Sequence, residues 1–294
     1  EITLESRLAM LSLLQKHALD FDYQVKGRMQ LLYTEKAIAG VKEHLELKRK
    51  YEEDERLISF EDAAELEPAL TSADDKPLKV LWSPSEAVGD ASQFARSLLE
   101  TLKTDYGVET LFGERILQAN LHSSGADIRF EDGRRLDTEL LALCTGADRF
   151  LMKQLGLDVP LYPMKGYSIT APLGDAPPNI SLTDTKRRLV FTRLGDRIRI
   201  AGMADLGWTH DTPDPARLRV LTNSAIEALP AAAAYERATE LWAGLRPMTP
   251  DSNPRIARPH PALIYNLGHG MLGWTMAMGT GERAAKLAVP ETDL

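Results

Sequence analysis

The sequence predicts a mixed α/β (α+β) protein, with a parallel layer and a separate antiparallel sheet, and three stretches lead to this prediction. From Ala91 to Thr104 the apolar side chains share one helical face, and a strand at Val108 to Phe112 is expected after the turn at Gly107. The stretch from Leu136 to Cys144 is almost continuously apolar, which is typical of a strand buried in a parallel sheet. Between Leu161 and Thr209, short alternating runs indicate a separate antiparallel sheet. A helical layer beside such a sheet predicts a mixed architecture.

The composition excludes several classes of protein. The 294 residues carry a formal net charge of −8 and no wide basic cluster, which argues against nucleic-acid binding. No apolar run reaches the length of a membrane span, and the first residues lack a signal-peptide core. The single cysteine, Cys144, excludes an intrachain disulfide framework, suits a reducing compartment and is expected to be buried rather than nucleophilic. Metal-binding cysteine or histidine motifs are missing, so no metal site is expected.

The N-terminal part is expected to combine helices and short strands. Leu4, Leu8, Leu11 and Leu14 recur with helical spacing between Leu4 and Leu19, which predicts a helix with one buried face. Two strand pieces are expected around Gly27, between Tyr23 and Tyr33. The charged run from Glu35 to Tyr51 is expected to be a solvated helix, with a partner surface as the less favoured alternative.

Later elements follow from cap, turn and alternation signals. Ser59 with Asp62 at the third helical position predicts a helix start. A β-meander is expected from Arg115 to Arg134, a helix from Asp214 to Leu229, and a further short helix from Tyr235 to Trp242. The period of two from Arg197 to Ala201 predicts that the arginines face one side of a strand and the isoleucines the core.

The stretch from Tyr265 to Gly281 is the strongest candidate for a ligand-binding site. Gly268, Gly270 and Gly273 lie directly ahead of a helical pattern, so backbone N–H groups could approach a cofactor or anion. A tight strand-to-helix turn explains the glycines equally well. His269 could orient a ligand or simply form a hydrogen bond to a carbonyl group.

Two further stretches suggest binding chemistry. Thr145, Gly146 and Ala147 follow an apolar strand, and ligands of open α/β sheets lie beyond the carboxyl ends of strands. The alternative is a plain strand-to-loop turn. Arg246 lies between apolar neighbours in a segment stiffened by two prolines, which favours a bidentate grip on a carboxylate over a surface ion pair.

Six segments, taken in order, resemble the FAD-dependent D-amino acid oxidase superfamily, and most closely its bacterial D-amino acid dehydrogenases of the small subunit type. Any one segment would be a weak signal, but together they cover nearly the whole chain. They are LEPAL (Leu66 to Leu70), PSEAVGDASQF (Pro84 to Phe94), CTGAD (Cys144 to Asp148), YPMKGYSIT (Tyr162 to Thr170), WAGLRPMTPDSNP (Trp242 to Pro254) and GHGMLGWTMAMGTG (Gly268 to Gly281).

This resemblance implies a partial Rossmann-type FAD-binding domain combined with an antiparallel-sheet substrate domain. It implies that a D-amino acid transfers a hydride to FAD and that the resulting imino acid hydrolyses to a 2-oxo acid and ammonia. The electrons would pass to a quinone or another respiratory acceptor. The protein would be cytoplasmic or peripheral on the cytoplasmic face of the bacterial inner membrane.

The resemblance also implies roles for individual residues. Arg246 would hold the substrate carboxylate, and Tyr167 would cover the substrate as a weaker candidate. Thr145, Gly146 and Ala147 would lie near the phosphates and ribose of FAD. The flavin would be lined by Gly268, His269, Gly270, Leu272, Gly273, Trp274 and Thr275.

The sequence departs from the family at its N-terminus, where a strand, a G-x-G-x-x-G turn and a helix that receive the FAD pyrophosphate would be expected. The sequence is therefore expected to begin after that unit. The resemblance implies substrate-domain residues at 1–83 and 151–243, and FAD-binding residues at 84–150 and 244–294. Two alternatives remain: a related glycine, sarcosine or proline-type amine oxidase, and a non-catalytic fragment that binds no flavin.

Overall fold

The computed structural model describes residues 1–48 and 54–289, which form a mixed α/β structure. The last three residues of the predicted charged helix, Arg49 to Tyr51, lie outside the described residues. The helices are α1 (Ile2–Lys16), α2 (Glu35–Lys48), α3 (Phe60–Leu66), α4 (Ala91–Tyr106), α5 (Phe150–Gln154), α6 (Pro215–Ala228) and α7 (Gly273–Ala288). The strands are β1 (Gln24–Val25), β2 (Arg28–Leu32), β3 (Arg56–Ile58), β4 (Lys79–Ser83), β5 (Ala87–Val88), β6 (Ile116–His122), β7 (Gly125–Phe130), β8 (Arg135–Thr138), β9 (Leu141–Leu143), β10 (Tyr162–Pro172), β11 (Ser181–Asp184), β12 (Leu189–Leu194), β13 (Arg197–Leu206), β14 (Glu240–Met248), β15 (Arg255–His260) and β16 (Leu263–Leu267).

An eight-stranded sheet dominates the structure, in the order β14-β10-β13-β12-β11-β2-β4-β3. All neighbouring strands are antiparallel except β11 and β2, which run parallel. On one face, buried side chains such as Phe191, Ile198 and Ile200 pack with Leu218 and Leu221 of α6 in the main core. As predicted, Arg197 and Arg199 alternate with these isoleucines and lie on the other face.

Three smaller sheets accompany the large one, and the first of them pairs only β1 with β5. The meander β6-β7-β8 confirms the predicted hairpins, and a three-stranded sheet has the order β15-β16-β9, with β16 and β9 parallel. A second core lies next to this sheet and includes Leu143, Met152 and Leu263. The predicted single strand from Leu136 to Cys144 is wrong. A bend at residues 139–140 divides it into β8 and the three-residue β9, and Cys144 is exposed rather than buried.

The helix N-termini agree with the cap signals in the sequence. Ser59 accepts a hydrogen bond from the Asp62 backbone N–H at 3.0 Å, and the Asp62 carboxylate accepts one from the Ser59 backbone, so the predicted capping box begins α3. Asp90 caps α4 through the N–H groups of Ser92 and Gln93, and Gly107 ends that helix at φ 66°.

Two predicted elements do not form, and in the second of them strand pairing replaces the predicted helix. Residues 108–112 pair with none of the described strands, and Phe112 is exposed. The predicted helix from Tyr235 to Trp242 is a single 3-10 turn, Tyr235–Arg237, followed by β14, which pairs along β10 from Glu240 onward.

The buried face of α1 is also not the predicted one. Leu4, Leu8 and Leu11 are exposed, whereas the small residues Ser6 and Ala9 are buried. The reason lies in α7: a Cβ added at Gly279 would come within 2.9 Å of the Ser6 backbone nitrogen, so the two helices cross at close range.

Among the described residues, no helix combines the length and apolar character needed to cross a membrane.

Candidate functional site

Arg246 lies on the polar face of the large sheet, above a pair of glycines. In the β14–β10 pairing, Gly244 stands opposite Gly166 and Arg246 opposite Met164, so these side-chain positions share one face. The guanidinium folds back over Gly166: a Cβ built there would lie 2.3 Å from Nη2 and 2.4 Å from Cζ of Arg246. Gly166 therefore leaves the space that the guanidinium occupies.

The Arg246 guanidinium is half-buried and has no acidic partner among the described residues. Its Nη1 donates one hydrogen bond, to the Met203 carbonyl at 3.1 Å. Burial lowers the pKa of Arg246 below its usual value, although a guanidinium keeps its charge in proteins. Because the group has five N–H donors, most of them are free for a ligand, and an unpaired buried cation favours an anionic one.

Tyr167 lies on the opposite face of the same strand. It stands opposite Ala243 and Gly202, and its side chain is buried among the main-core residues. Its hydroxyl has no hydrogen-bond partner within the described part of the chain, and burial together with the nearby Asp205 carboxylate raises its pKa. Since side chains alternate along a strand, Tyr167 cannot reach the side of the sheet that carries Arg246. The structure thus does not place it over a ligand held by Arg246.

The two predicted cofactor segments are brought together at one sheet edge. Because β9 and β16 are parallel with Leu143 opposite Tyr265, the loops after both strands begin side by side. One loop contains Thr145, Gly146 and Ala147, and the other begins at Gly268. Gly146, Gly268 and Gly270 have φ values of 59°, 77° and 54°, a region that favours glycine.

The glycine loop also touches the strand that carries Arg246. A Cβ at Gly268 would lie 2.5 Å from Cγ2 of Thr249, and one at Gly270 would lie 3.2 Å from the Met248 sulfur. Met248 ends β14, two residues after Arg246. The end of the strand that carries the predicted carboxylate-binding arginine therefore contacts the predicted cofactor loop through Met248 and Thr249.

His269 is turned into the protein. Its Nε2 lies 3.0 Å from the Thr280 hydroxyl of α7, and that hydroxyl donates to the Ala277 carbonyl. The hydroxyl therefore accepts from an Nε2–H group. Burial lowers the pKa of His269, which keeps the imidazole neutral. The observed hydrogen bond ties the glycine loop to α7.

The outer side of this loop is apolar and open. Leu272, Trp274 and Thr275 are exposed, and Trp274 packs edge-on against Phe94 and Phe21 at centroid distances of 5.1 and 6.2 Å. These aromatics border an apolar groove between α4 and α7 with a volume of about 480 Å³. The groove is lined partly by the helical face that the sequence predicted for α4.

Three features of the site escaped the sequence prediction. Gly268, Gly270 and Gly273 were singled out as a loop, but the chain was expected to lack the spacing G-x-G-x-x-G, which residues 268–273 have between β16 and α7. The pairing of Gly166 with Gly244 depends on strand register, which no local pattern reveals. The Asn266 Oδ1 atom is buried without a hydrogen-bond partner in the described part of the chain, and a sequence carries no signal for an orphaned group.

Comparisons with known proteins identify the family of this chain. Residues 1–287 match the family model described as "DAO: FAD dependent oxidoreductase". A relative named D-amino acid dehydrogenase, from Rhizorhabdus wittichii, is 35% identical over 288 residues, which cover 96% of this chain and 68% of the relative. The chain belongs to the DAO family of FAD-dependent oxidoreductases.

Solved structures support the same fold. Glycine oxidase from Geobacillus kaustophilus superposes with a TM-score of 0.87 at 21% identity, covering 98% of this chain and 78% of the other. L-proline dehydrogenase from P. horikoshii gives a TM-score of 0.83 at 21% identity, covering 97% of this chain and 77% of the other.

The described residues fit the FAD that the family uses. The cofactor needs backbone that a large ring system and its phosphates can approach closely. A Cβ built at Gly146 would have no atom within 4 Å, so a ligand can approach the backbone there. The Asn266 Oδ1 atom is buried and has no hydrogen-bond partner among the described residues, so it can accept a hydrogen bond from a ligand. Both lie at the edge where the two loops meet.

Proposed function

We propose that this protein oxidises D-amino acids to 2-oxo acids and ammonia, with FAD as the hydride acceptor. The observation that carries the proposal is the half-buried Arg246 guanidinium, which has one backbone hydrogen bond and no carboxylate partner among the described residues. The named activity of the 35% identical relative supports the choice of substrate.

In this proposal, Arg246 binds and orients the substrate carboxylate. Its position over Gly166 and beside the Met248–Gly270 contact directs the bound amino acid toward the glycine loop. Partial burial strengthens the attraction because less water screens the charge. Hydride transfer depends chiefly on orientation, so one rigid arginine contributes more than a dedicated base. Tyr167 does not contribute to binding of the carboxylate in this proposal, since its side chain lies in the main core.

We further assign the cofactor contacts to the two loops at the β9–β16 edge. Thr145, Gly146 and Ala147 contribute backbone and a hydroxyl, while the second loop contributes glycine backbone with few side chains in the way. Its proposed contacts are Gly268, His269, Gly270, Leu272, Gly273, Trp274 and Thr275. FAD, when bound there, supplies the electron-accepting ring.

The domain assignment belongs to the same proposal. Residues 84–150 and 244–294 serve FAD binding, and residues 1–83 and 151–243 serve substrate binding. The strands β2 to β4 and β10 to β14 share one sheet, which supports counting the N-terminal strands with the substrate domain.

For the electron acceptor we propose a quinone-linked respiratory carrier at the cytoplasmic face of the inner membrane. An acceptor assay separates this from oxidase chemistry: a dehydrogenase reduces a quinone analogue and forms little hydrogen peroxide in air. Peroxide formation with glycine or sarcosine would instead indicate a glycine oxidase type of enzyme.

The test of the carboxylate role is a pair of substitutions in the flavin-loaded protein. Arg246→Ala is expected to raise KM for D-alanine by about 10- to 100-fold, as expected for loss of a charge-assisted hydrogen-bond pair. Arg246→Lys keeps the positive charge but not the paired N–H donors of the guanidinium, so its KM for D-alanine should lie between those of the unsubstituted protein and Arg246→Ala. Arg193→Gln, on the opposite face of the sheet, is the matched control. An unchanged KM for Arg246→Ala would contradict the role.

A further inference from the structure

A second arginine lies on the same face as Arg246 without an acidic partner. Thr170 of β10 stands opposite Arg199 on one side and opposite Glu240 on the other, so all three share this face. The Arg199 Cζ lies 5.3 Å from the centroid of the Trp242 ring. Among the described residues, Arg199 forms no side-chain hydrogen bond and no ion pair. The N–H donors of Arg199 are therefore free, while a cation–π interaction with Trp242 fixes the position of the guanidinium.

The nearby carboxylates are already engaged. Glu240 accepts from Arg197 at 3.0 Å, and Asp90 lies 3.5 Å from the same guanidinium. Both carboxylates are thus paired with Arg197 rather than with Arg199, which has no acidic partner among the described residues beside Trp242. A cation held on an aromatic face with open donors is suited to recognising an anion.

The surface between the two free arginines has a floor of small residues. Two rows lie between them: one contains Ser168 and Ala201 beside the larger Trp242, and the other contains Gly166 and Gly244. The Trp242 ring leans over Gly244, since a Cβ there would lie 2.2 Å from the ring. Rows on one face are about 6.6 Å apart, so the two arginine positions, three rows apart, are separated by about 20 Å along the strands. Because the Arg246 guanidinium folds back over Gly166 and the Arg199 guanidinium lies beside Trp242, the two groups themselves are one to two rows, on the order of 7–13 Å, apart. A ligand with two carboxylates can bridge this distance.

We propose that Arg199 binds a second carboxylate, on the side chain of the substrate, so that acidic amino acids are the preferred class. The inference rests on the proposed function, because Arg246 must hold the α-carboxylate. Trp242 is the wall between the two groups, along which the methylene carbons of the side chain would lie. Arg199 is thereby a specificity-determining residue.

The test measures binding and turnover with matched pairs of ligands. Isothermal titration calorimetry compares glutarate with valerate, which have the same number of carbons but two carboxylates and one, respectively. Steady-state kinetics compare D-glutamate with D-norvaline. We expect glutarate to bind at least about ten-fold more tightly than valerate, and kcat/KM to favour D-glutamate by a similar factor. In Arg199→Gln both preferences should vanish while valerate binding stays unchanged, and Arg199→Lys should restore part of them.

Arg193→Gln serves as the control for the loss of one positive charge from the sheet, since Arg193 stands opposite Ile198 on the core side. It should keep the preference for glutarate. Equal binding of glutarate and valerate to the unsubstituted protein, or a preference that survives Arg199→Gln, would overturn the inference while leaving oxidation of D-norvaline intact. If neither ligand binds and no D-amino acid is oxidised, the proposed function fails together with the inference.

Discussion

Replacing Gly166 by alanine tests whether the glycine exists to leave room for the Arg246 guanidinium. The added Cβ would lie 2.3 Å from Nη2, 2.4 Å from Cζ and 2.8 Å from Nη1 of Arg246. All three distances are far below van der Waals contact, so the guanidinium must leave its position. Gly166 does not adopt a positive φ, so alanine fits its backbone and the clash is confined to the end of one side chain.

The magnitude follows from what the displaced guanidinium loses. A displaced Arg246 guanidinium loses one charge-assisted hydrogen bond to the substrate carboxylate, worth about 1.5–3 kcal/mol. This loss corresponds to roughly a 10- to 150-fold increase in KM, or in the Kd of a carboxylate ligand. The cost in folding stability is smaller. The displaced side chain loses its hydrogen bond to the Met203 carbonyl, worth about 1 kcal/mol, and alanine is more favourable than glycine in a strand.

The assay combines KM for D-alanine with thermal unfolding of the same flavin-loaded samples. We expect a large rise in KM with a shift in Tm of no more than about 2–4 °C. Gly40→Ala is the control, because its Cβ position has nothing within 4 Å. It should leave KM unchanged and stabilise α2 by about 0.5–1 kcal/mol. A Gly166→Ala variant with normal KM would refute the reasoning.

Two further predictions concern the elements that support the site. Gly279→Ala should lower the free energy of unfolding in denaturant by about 1–3 kcal/mol, because its Cβ would lie 2.9 Å from the Ser6 backbone nitrogen. Gly281→Ala, in the same helix, is the control: its Cβ meets no atom within 4 Å, so it should raise the free energy of unfolding. Equal effects of the two substitutions would contradict the close crossing of α1 and α7. For His269, whose pKa is lowered by burial, the unfolded chain binds a proton first as pH falls, so its contribution to stability is present above about pH 6.5 and lost below. His269→Gln should therefore lose less stability than the unsubstituted protein between pH 7 and pH 5, and an identical loss would contradict a buried neutral imidazole.

The sequence could predict elements whose signals are local. The capping box at Ser59, the left-handed glycine after α4 and the alternation at Arg197 to Ala201 each depend on residues a few positions apart, and all three are confirmed. The family was likewise recognisable, because its six segments are contiguous stretches in a fixed order.

The wrong predictions depend on partners distant in the chain. Tyr235 to Trp242 was predicted to be a helix, but the Thr239 N–H donates to the Thr170 carbonyl of β10, and β14 pairs with β10 from Glu240 onward. The face that α1 buries is decided by Gly279, more than 270 residues later. In both cases a non-local contact outweighs a propensity of a few tenths of a kcal/mol per residue.

The candidate site shows the same division. Arg246 could be identified from its stiff apolar setting, but its freedom from acidic partners and its place over Gly166 are consequences of strand register. Tyr167 shows the converse: it adjoins Gly166 in sequence, yet the alternation of the strand sends its side chain into the core.

The most direct test of the central claim is anaerobic titration of the flavin-loaded protein with single enantiomers. The absorbance of oxidised flavin at roughly 450 nm reports hydride transfer without any electron acceptor. The proposed function predicts that D-glutamate and D-alanine bleach this band and that their L-enantiomers do not. Bleaching by the L-enantiomers, or no bleaching by any D-amino acid, would contradict it.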